Sequence, residues 1–280
     1  MDVSRVNGEG DRATLRTVSA VIPALNEGQN IEWVLTRLPE CVDEVVVVDG
    51  RSSDDTIEVA LRVRPDATIV HEMRPGKGVA LRSGFERSSG DYVVMLDADG
   101  SMEPAEVTRY VAMLDEGFDL VKGSRFMDGG GTTDISRLRA AGNFSLLAIA
   151  NRAYGCSFTE LCYGFMGLRR SAIPRLQLSA DGFEIETQIV VHAVKAGLRI
   201  AEVASFEAPR RSGDSNLRTF RDGSRVLREL VRARGRDLSP PVAAPLPERR
   251  RRFSRAGAAE PVAATASPEQ VPGLGGQPLG

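Results

Sequence analysis

Tyr92-Val93-Val94-Met95-Leu96-Asp97-Ala98-Asp99-Gly100 decides the fold: an apolar run ends abruptly in two carboxylates one residue apart. A run this apolar reads as a buried strand. In an open α/β sheet, ligands bind at the carboxyl ends of the strands, where these aspartates emerge. Two crowded carboxylates repel each other unless a cation lies between them. Hard oxygen ligands suit Mg2+ or Mn2+, and a metal held there can grip a phosphate. An ordinary surface turn is the competing reading, because Asp and Gly favour turns after strands.

Working outward, strand and helix signals alternate. Val18 to Pro23 reads as a strand, and Ile31, Val34, Leu35 and Leu38 recur at helical intervals up to Pro39. Glu44-Val45-Val46-Val47-Val48-Asp49 is a β-branched run expected of a buried strand, and Ser52 to Thr56 is a polar cluster expected to cap a second helix. Ala67 to Val70 forms a third strand, Gly76-Lys77-Gly78 opens a helix to about Ser88, and Tyr92 to Leu96 is the fourth strand. This alternation implies an α/β fold with a mainly parallel central sheet and helices on both faces. It predicts that Pro23 to Glu27, Asp49 and Asp97 to Asp99 converge, since each follows a strand.

Further on, the pattern predicts a helix from Pro104 to Leu114, a strand from Leu120 to Arg125, a mobile Asp128 to Thr133, and a long helix from Leu138 to Tyr154. Cys162 to Leu168 and Arg199 to Ser205 read as strands, Glu184 to Ala196 and Asp222 to Arg234 as helices, and Arg210 to Thr219 as a loop. The domain therefore spans 18–235. A flexible arm is expected over 1–17, and a disordered Pro/Ala/Gly-rich tail over 236–280 with the basic run Arg249 to Arg252.

The 280 residues are 42% hydrophobic, enough for a proper core, and carry a formal charge of -2, which argues against a general nucleic-acid binder. Three cysteines, Cys41, Cys156 and Cys162, fit neither a disulfide framework nor a zinc site, which points to a reducing cytoplasm. The first residues lack the apolar core of a signal peptide, and no uninterrupted apolar run is long enough to span a bilayer.

Five motifs in one order resemble glycosyltransferase family 2: Val21-Ile22-Pro23-Ala24-Leu25-Asn26-Glu27, Val47-Val48-Asp49-Gly50-Arg51-Ser52-Ser53-Asp54, Gly76-Lys77-Gly78, Leu96-Asp97-Ala98-Asp99 and Gly123-Ser124-Arg125. Within that family the chain is most similar to the polyprenyl-phosphate sugar synthases, the dolichyl-phosphate mannosyl- and glucosyltransferases. The resemblance covers Val18 to Arg234. It implies a GT-A fold, a UDP- or GDP-hexose donor, Mg2+ or Mn2+ at Asp97 and Asp99, inversion at the sugar carbon, and polyprenyl phosphate as the favoured acceptor. Many relatives of that type carry C-terminal membrane helices and this sequence shows none, so the chain is expected to be cytoplasmic and to visit the inner face of the membrane peripherally.

The resemblance assigns Pro23, Leu25 and Glu27 to the loop around the base and ribose, Asp49 to the base, and Arg125 to the diphosphate. Arg210, in Arg210-Arg211-Ser212-Gly213-Asp214-Ser215-Asn216, matches the arginine of a later Arg-x-x-Gly-x-Ser-Lys loop. Read from residues alone, Pro23 and Asp49 could simply end strands and Glu27 could cap a helix. Lys77 could meet a phosphate at the helix start beside Gly76 and Gly78, or sit in a surface turn. The chemistry is coherent: departure of a nucleoside diphosphate builds negative charge, which a metal and arginines stabilise preferentially in the transition state.

Three positions depart from the pattern: Asn216 replaces a lysine, for which Arg211 or Arg218 could compensate, Glu160 an aspartate, and Leu25 an aromatic residue of some relatives. On the acceptor side, Asp181-Gly182-Phe183-Glu184-Ile185-Glu186 offers a general base for a hydroxyl acceptor, or carboxylates that merely favour a helix start. A phosphate acceptor needs no such base. His192 reads as a packing residue. The apolar helix around Leu146 reads mainly as core, with a membrane-resting helix as the alternative. A soluble acceptor, a sugar nucleotidyltransferase and a non-catalytic nucleotide-sugar binder are the competing functions; no Gly-x-Gly-x-x-Gly follows the first strand to support a dinucleotide-dependent oxidoreductase.

Overall fold

The structure, a computed structural model, describes residues 16–133, 135–213, 219–236 and 238. The expectations for residues 1–15, Asn216, Arg218 and the tail from 239 lie outside the described residues. At the end of the expected arm, Thr17 already accepts a hydrogen bond from the Tyr92 N–H at 3.0 Å.

The first four strands are β1 (Val18–Ala24), β2 (Glu44–Asp49), β3 (Thr68–His71) and β4 (Tyr92–Met95), alternating with helices α1 (Ile31–Thr36), α2 (Thr56–Val63) and α3 (Lys77–Arg87). Then come α4 (Val107–Asp115), preceded by a short 3-10 turn, β5 (Leu120–Ser124), β6 (Gly131–Thr132), α5 (Arg137–Tyr154) and β7 (Met166–Arg169). The last elements are α6 (Glu184–Lys195), β8 (Ile200–Ala204), β9 (Phe206–Glu207) and α7 (Thr219–Arg234). A seven-stranded sheet has the order β3-β2-β1-β4-β7-β5-β8. Every pairing in it is parallel except those of β7.

The sheet is covered on both faces, and its central strands β2 and β4 are apolar on both sides over Val45 to Val48 and Tyr92 to Met95. Val46 and Val48 of β2, with Val93 and Met95 of β4, pack into one core that includes Ile185, Ile189 and Leu230 of α6 and α7. Their alternates Val45, Val47, Tyr92 and Val94 pack into the other, with Val34 of α1, Val59 of α2 and Tyr110 of α4.

Two expectations need correction. Cys162 to Phe165 is not strand; only Met166–Arg169 is, and it runs antiparallel, with Met166 opposite both Met95 and Lys122. The reversal places the approach to β7, residues 162–165, at the ligand-binding end of its neighbours. Residues 131–133 are tethered, not free: β6 pairs with β9, the Gly131 N–H donates to the Ser205 carbonyl at 3.1 Å, and the Thr133 N–H donates to that of Glu207 at 3.1 Å.

Candidate active site

The loops after β1 and β2 interlock. The Ser53 N–H donates to Asn26 Oδ1 at 2.8 Å, the Glu27 N–H to Thr56 Oγ1 at 2.9 Å, and the Gly28 N–H to Asp54 Oδ2 at 3.0 Å. The polar cluster read as a helix cap serves this clasp; Asp55, at the N-cap of α2, makes no side-chain capping bond. Asn26 and Arg51 adopt φ of 57° and 73°, an uncommon left-handed backbone held by these cross-loop bonds.

A cavity opens over the interlocked loops and the end of β4. Pro23, Leu25, Glu27, Lys77, Asp97, Ala98, Asp99 and Arg210 line it, so eight of the ten candidate residues converge. Asp49 lies outside the lining: it is buried, accepts the Ser52 N–H at 3.0 Å and stands 3.7 Å from His71 Nδ1, while its neighbours Gly50 and Arg51 reach the cavity. Arg125 lines a second cavity on the other side of the aspartates. Lys77, Asp97, Asp99, Phe183 and Arg210 border both.

At this shared wall Lys77 Nζ lies 2.6 Å from Asp97 and 2.7 Å from Glu186. Gly164 makes room for the trio: a Cβ there would come within 2.8 Å of Lys77 Nζ and 2.9 Å of Glu186 Oε1. Burial opposes the Lys77 charge, but Asp97 and Glu186 outweigh it and hold the ammonium protonated. Burial pushes the Asp97 carboxyl up to about 6, with Asp99 and Glu186 adding repulsion against the pull of Lys77. Across the wall, Arg210 donates to Glu27 at 2.6 Å and approaches Asp99 at 3.4 Å. Burial likewise raises the Glu27 carboxyl, against hydrogen bonds from Asn30 and Arg210.

The loop carrying Arg210 folds back over the aspartates. The Ala208 N–H bonds to the Ser101 carbonyl at 2.9 Å and the Arg211 N–H to that of Asp99 at 3.2 Å, while the Arg211 guanidinium lies 4.9 Å from the Trp33 ring centre. Gly100 is required beneath it: φ is +73°, and a Cβ would meet Arg211 Cδ at 2.5 Å.

The wall and the two acids paired to its cations carry four carboxylates, Asp97 and Asp99 with Glu27 and Glu186, against two cations, Lys77 and Arg210. That negative surplus and the two half-buried aspartates facing a common space fit a hard divalent cation. Among the described residues no group of three or more His, Cys, Asp or Glu could hold a metal, so a cation held by Asp97 and Asp99 would need oxygens of a bound ligand or water as further ligands.

In the second cavity Arg125 is buried in a polar frame, donating to Glu160 at 2.9 Å, Glu207 at 2.8 Å and the Cys162 carbonyl at 3.1 Å. Burial opposes its charge, and Glu160 and Glu207 more than compensate. Glu160 is fully buried and uses its other oxygen on Asn143 Nδ2 at 2.8 Å, which ties Arg125 to α5. Burial pushes the nearby Cys162 thiol up to about 12, so it is an inert lining group.

Sequence reading left Glu186 undecided between base and helix-start acid; the structure brings it to the wall. It assigned no role to Asn143 and Glu207, for which a long apolar helix and a two-residue strand give no local signal. Asp181 and Glu184 border neither cavity. His192 is buried, with Nδ1 2.5 Å from the Leu176 carbonyl, as expected of a packing residue.

An α/β sheet with an acidic pair at its carboxyl end and a clasped double loop beside it fits the GT-A fold of sugar-transferring enzymes. The chain belongs to glycosyl transferase family 2, whose family model matches residues 19–176. It is 35% identical over 222 residues to the glycosyltransferase AglJ of Haloferax volcanii, covering 77% of this chain and 71% of that one. It is 26% identical over 222 residues to a dolichyl-phosphate hexose transferase of the same organism, covering 78% and 94%. Among solved structures, glucosyl-3-phosphoglycerate synthase of Mycobacterium tuberculosis in complex with Mn2+, UDP and glucosyl-3-phosphoglycerate matches with a TM-score of 0.64 at 28% identity, over 81% of this chain and 82% of that one.

Proposed function

We propose that this glycosyltransferase moves a hexose from a UDP- or GDP-sugar to polyprenyl phosphate at a membrane surface, with inversion, using Mg2+ or Mn2+ held by Asp97 and Asp99. The observation that carries the reading is the pair of cavities sharing one charged wall. On this reading the nucleotide occupies the loop-lined side, the acceptor enters the other, and the sugar carbon lies between.

The roles follow from position. Pro23, Leu25 and the frame around Asp49 hold the base and ribose. Glu27 orients Arg210 beside the leaving diphosphate, and Lys77 keeps Asp97 and Glu186 in place. When bound, the metal neutralises charge gathering on the departing diphosphate. Arg210 adds positive charge at the same locus, which lowers the barrier only where that charge develops. Arg125, which the resemblance assigns to the diphosphate, lines the second cavity instead; there its guanidinium, paired with Glu160 and Glu207, faces an acceptor phosphate, which is already an anion and needs no proton removed.

The second cavity combines that cation with apolar Leu146 and Val226, a lining suited to an amphiphile carrying a phosphate. Leu138, Phe144 and Ile149 on α5 and Leu227 and Val231 on α7 are exposed, giving those two helices apolar surface for a bilayer interface. No described helix is long and apolar enough to cross a membrane.

A soluble hydroxyl acceptor is the second reading, favoured by Glu186, a buried carboxylate that lines the second cavity and that would act as general base once released from Lys77. The test is nucleoside diphosphate release from a panel of UDP- and GDP-sugars with Mn2+ or Mg2+, with polyprenyl phosphate or 3-phosphoglycerate added. Stimulation by the lipid phosphate supports the first reading and stimulation by phosphoglycerate alone the second. Absence of donor turnover with either metal overturns both.

A further inference from the structure

We infer that a third cavity, bordered by the segment from Ser179 to Glu184 and by α7, is a binding site for a phosphate group. Arg225, Arg228 and Arg232 of α7 and Arg236 just beyond it line this cavity. It shares no lining residue with either cavity described above. The three helical arginines stand at i, i+3 and i+7, so they project from one face.

The lining sets four arginines against three carboxylates, Asp181, Glu184 and Glu229. Asp181 is engaged by Arg82 at 2.9 Å, and Glu229 by Gln188 at 2.6 Å and by His192 at 3.5 Å. Glu184 accepts the Gly182 N–H at 3.2 Å through one oxygen; its other oxygen is buried without a hydrogen-bond partner. Arg225 is 3.7 Å from Asp222, and Arg236 donates to the neutral Ser179 hydroxyl at 3.1 Å. Arg228 and Arg232 are exposed and make no hydrogen bond or ion pair through their side chains among the described residues.

A helix-dipole role does not account for this pattern. Lys195 already meets the carbonyls at the end of α7, Ala233 at 2.6 Å and Arg234 at 3.0 Å, and Arg225 and Arg228 lie well before the last turn. Like charges one turn apart repel, whereas guanidinium forks converging on a polar recess match the oxygens of a phosphate. The phosphate could belong to a free anion or to a lipid headgroup, since the recognising chemistry is the same.

The experiment titrates inorganic phosphate and pyrophosphate into the full chain with EDTA present, and separately measures cosedimentation with vesicles of neutral lipid with or without phosphatidic acid. Comparison variants are R228Q/R232Q, the single R232Q, and R221Q/R234Q. The last removes the same charge from exposed positions of α7 outside the cavity. Circular dichroism checks the fold, and turnover with a short-chain prenyl phosphate is expected to stay at the wild-type level in every variant.

A free anion as ligand predicts phosphate or pyrophosphate binding weakened about tenfold or more in R228Q/R232Q and less in R221Q/R234Q. A headgroup as ligand predicts that same ordering only for phosphatidic acid vesicles. Equal losses in the two double variants reduce the effect to net charge and overturn the site, as does unaltered binding in R228Q/R232Q. If the double variant misfolds, R232Q carries the comparison.

Discussion

The two cavities on either side of Asp97 and Asp99 are built by opposite means. Apart from Phe183 and Arg210, the loop-lined cavity is made by the ends of parallel strands β1 to β4 and the segments that follow them, and short cross-loop bonds such as Ser53 to Asn26 hold two of these. The second is assembled from distant parts: the approach to antiparallel β7, the middle of α5, the two-residue β9 and the start of α7. Its anchor is a buried charge frame, Arg125 with Glu160 and Glu207, instead of a local loop. A site made of strand-end loops follows from topology, whereas one made of long-range charge pairs depends on every partner being present.

This contrast can be broken most directly at the frame. Glu160→Ala leaves Arg125 and Asn143 buried without their carboxylate, and denaturant unfolding should show a loss of about 3–5 kcal/mol. A loss below about 1 kcal/mol would mean that the pair does not organise the second cavity. Next in size, Asp99→Ala acts at the shared wall and should lower kcat by about a hundredfold to a thousandfold with melting little changed. Unchanged turnover would sink the proposed mechanism.

Glu27→Gln probes the loop-lined side alone: loss of the Arg210 partner should raise donor KM by about tenfold and leave acceptor KM unmoved. Its effect on stability has a definite sign. Burial raises the Glu27 carboxyl, so the folded chain holds that proton more tightly than the unfolded chain does. The stability this gives is present below the ordinary carboxylate range and is lost as pH rises through the raised value. The variant should therefore gain on wild type in thermal melts as pH rises above the ordinary carboxylate range of about 4; an opposite trend would show that the Arg210 pairing dominates burial.

The smallest effect is expected at the rim. Leu227→Glu with Val231→Glu should weaken vesicle cosedimentation by about tenfold or less, without altering turnover of a short-chain acceptor. If turnover of the short acceptor falls equally, these side chains belong to the site and not to a membrane contact.

Much of the loop-lined cavity was legible before any coordinates. Val45 to Val48 and Tyr92 to Leu96 are too uniformly apolar to be anything but buried strands, and the polar residues after them had to emerge at one end of a parallel sheet. Asp49 shows the limit: its position after β2 was foreseeable, but not that it turns into a bond with the Ser52 N–H beneath the lining. Arg125 was foreseeable as a strand-end residue, yet its engagement by Glu160 and Glu207 depends on segments 35 and 82 residues away. The strand expected from Cys162 was too long by four residues, since apolar composition does not report where pairing begins.

The sequence by itself determined the alternation of strands and helices and the acidic pair, because these rest on periodicity and on residues close together in the chain; the clasp between the loops after β1 and β2 joins residues 26 to 29 positions apart and came from the fold. Tertiary structure alone decided that β7 runs backwards, that Glu186 reaches Lys77, and that Asn143, Glu160 and Glu207 frame Arg125. Strand direction and ion pairing depend on how whole elements dock, and no local pattern encodes which distant carboxylate will meet a buried cation.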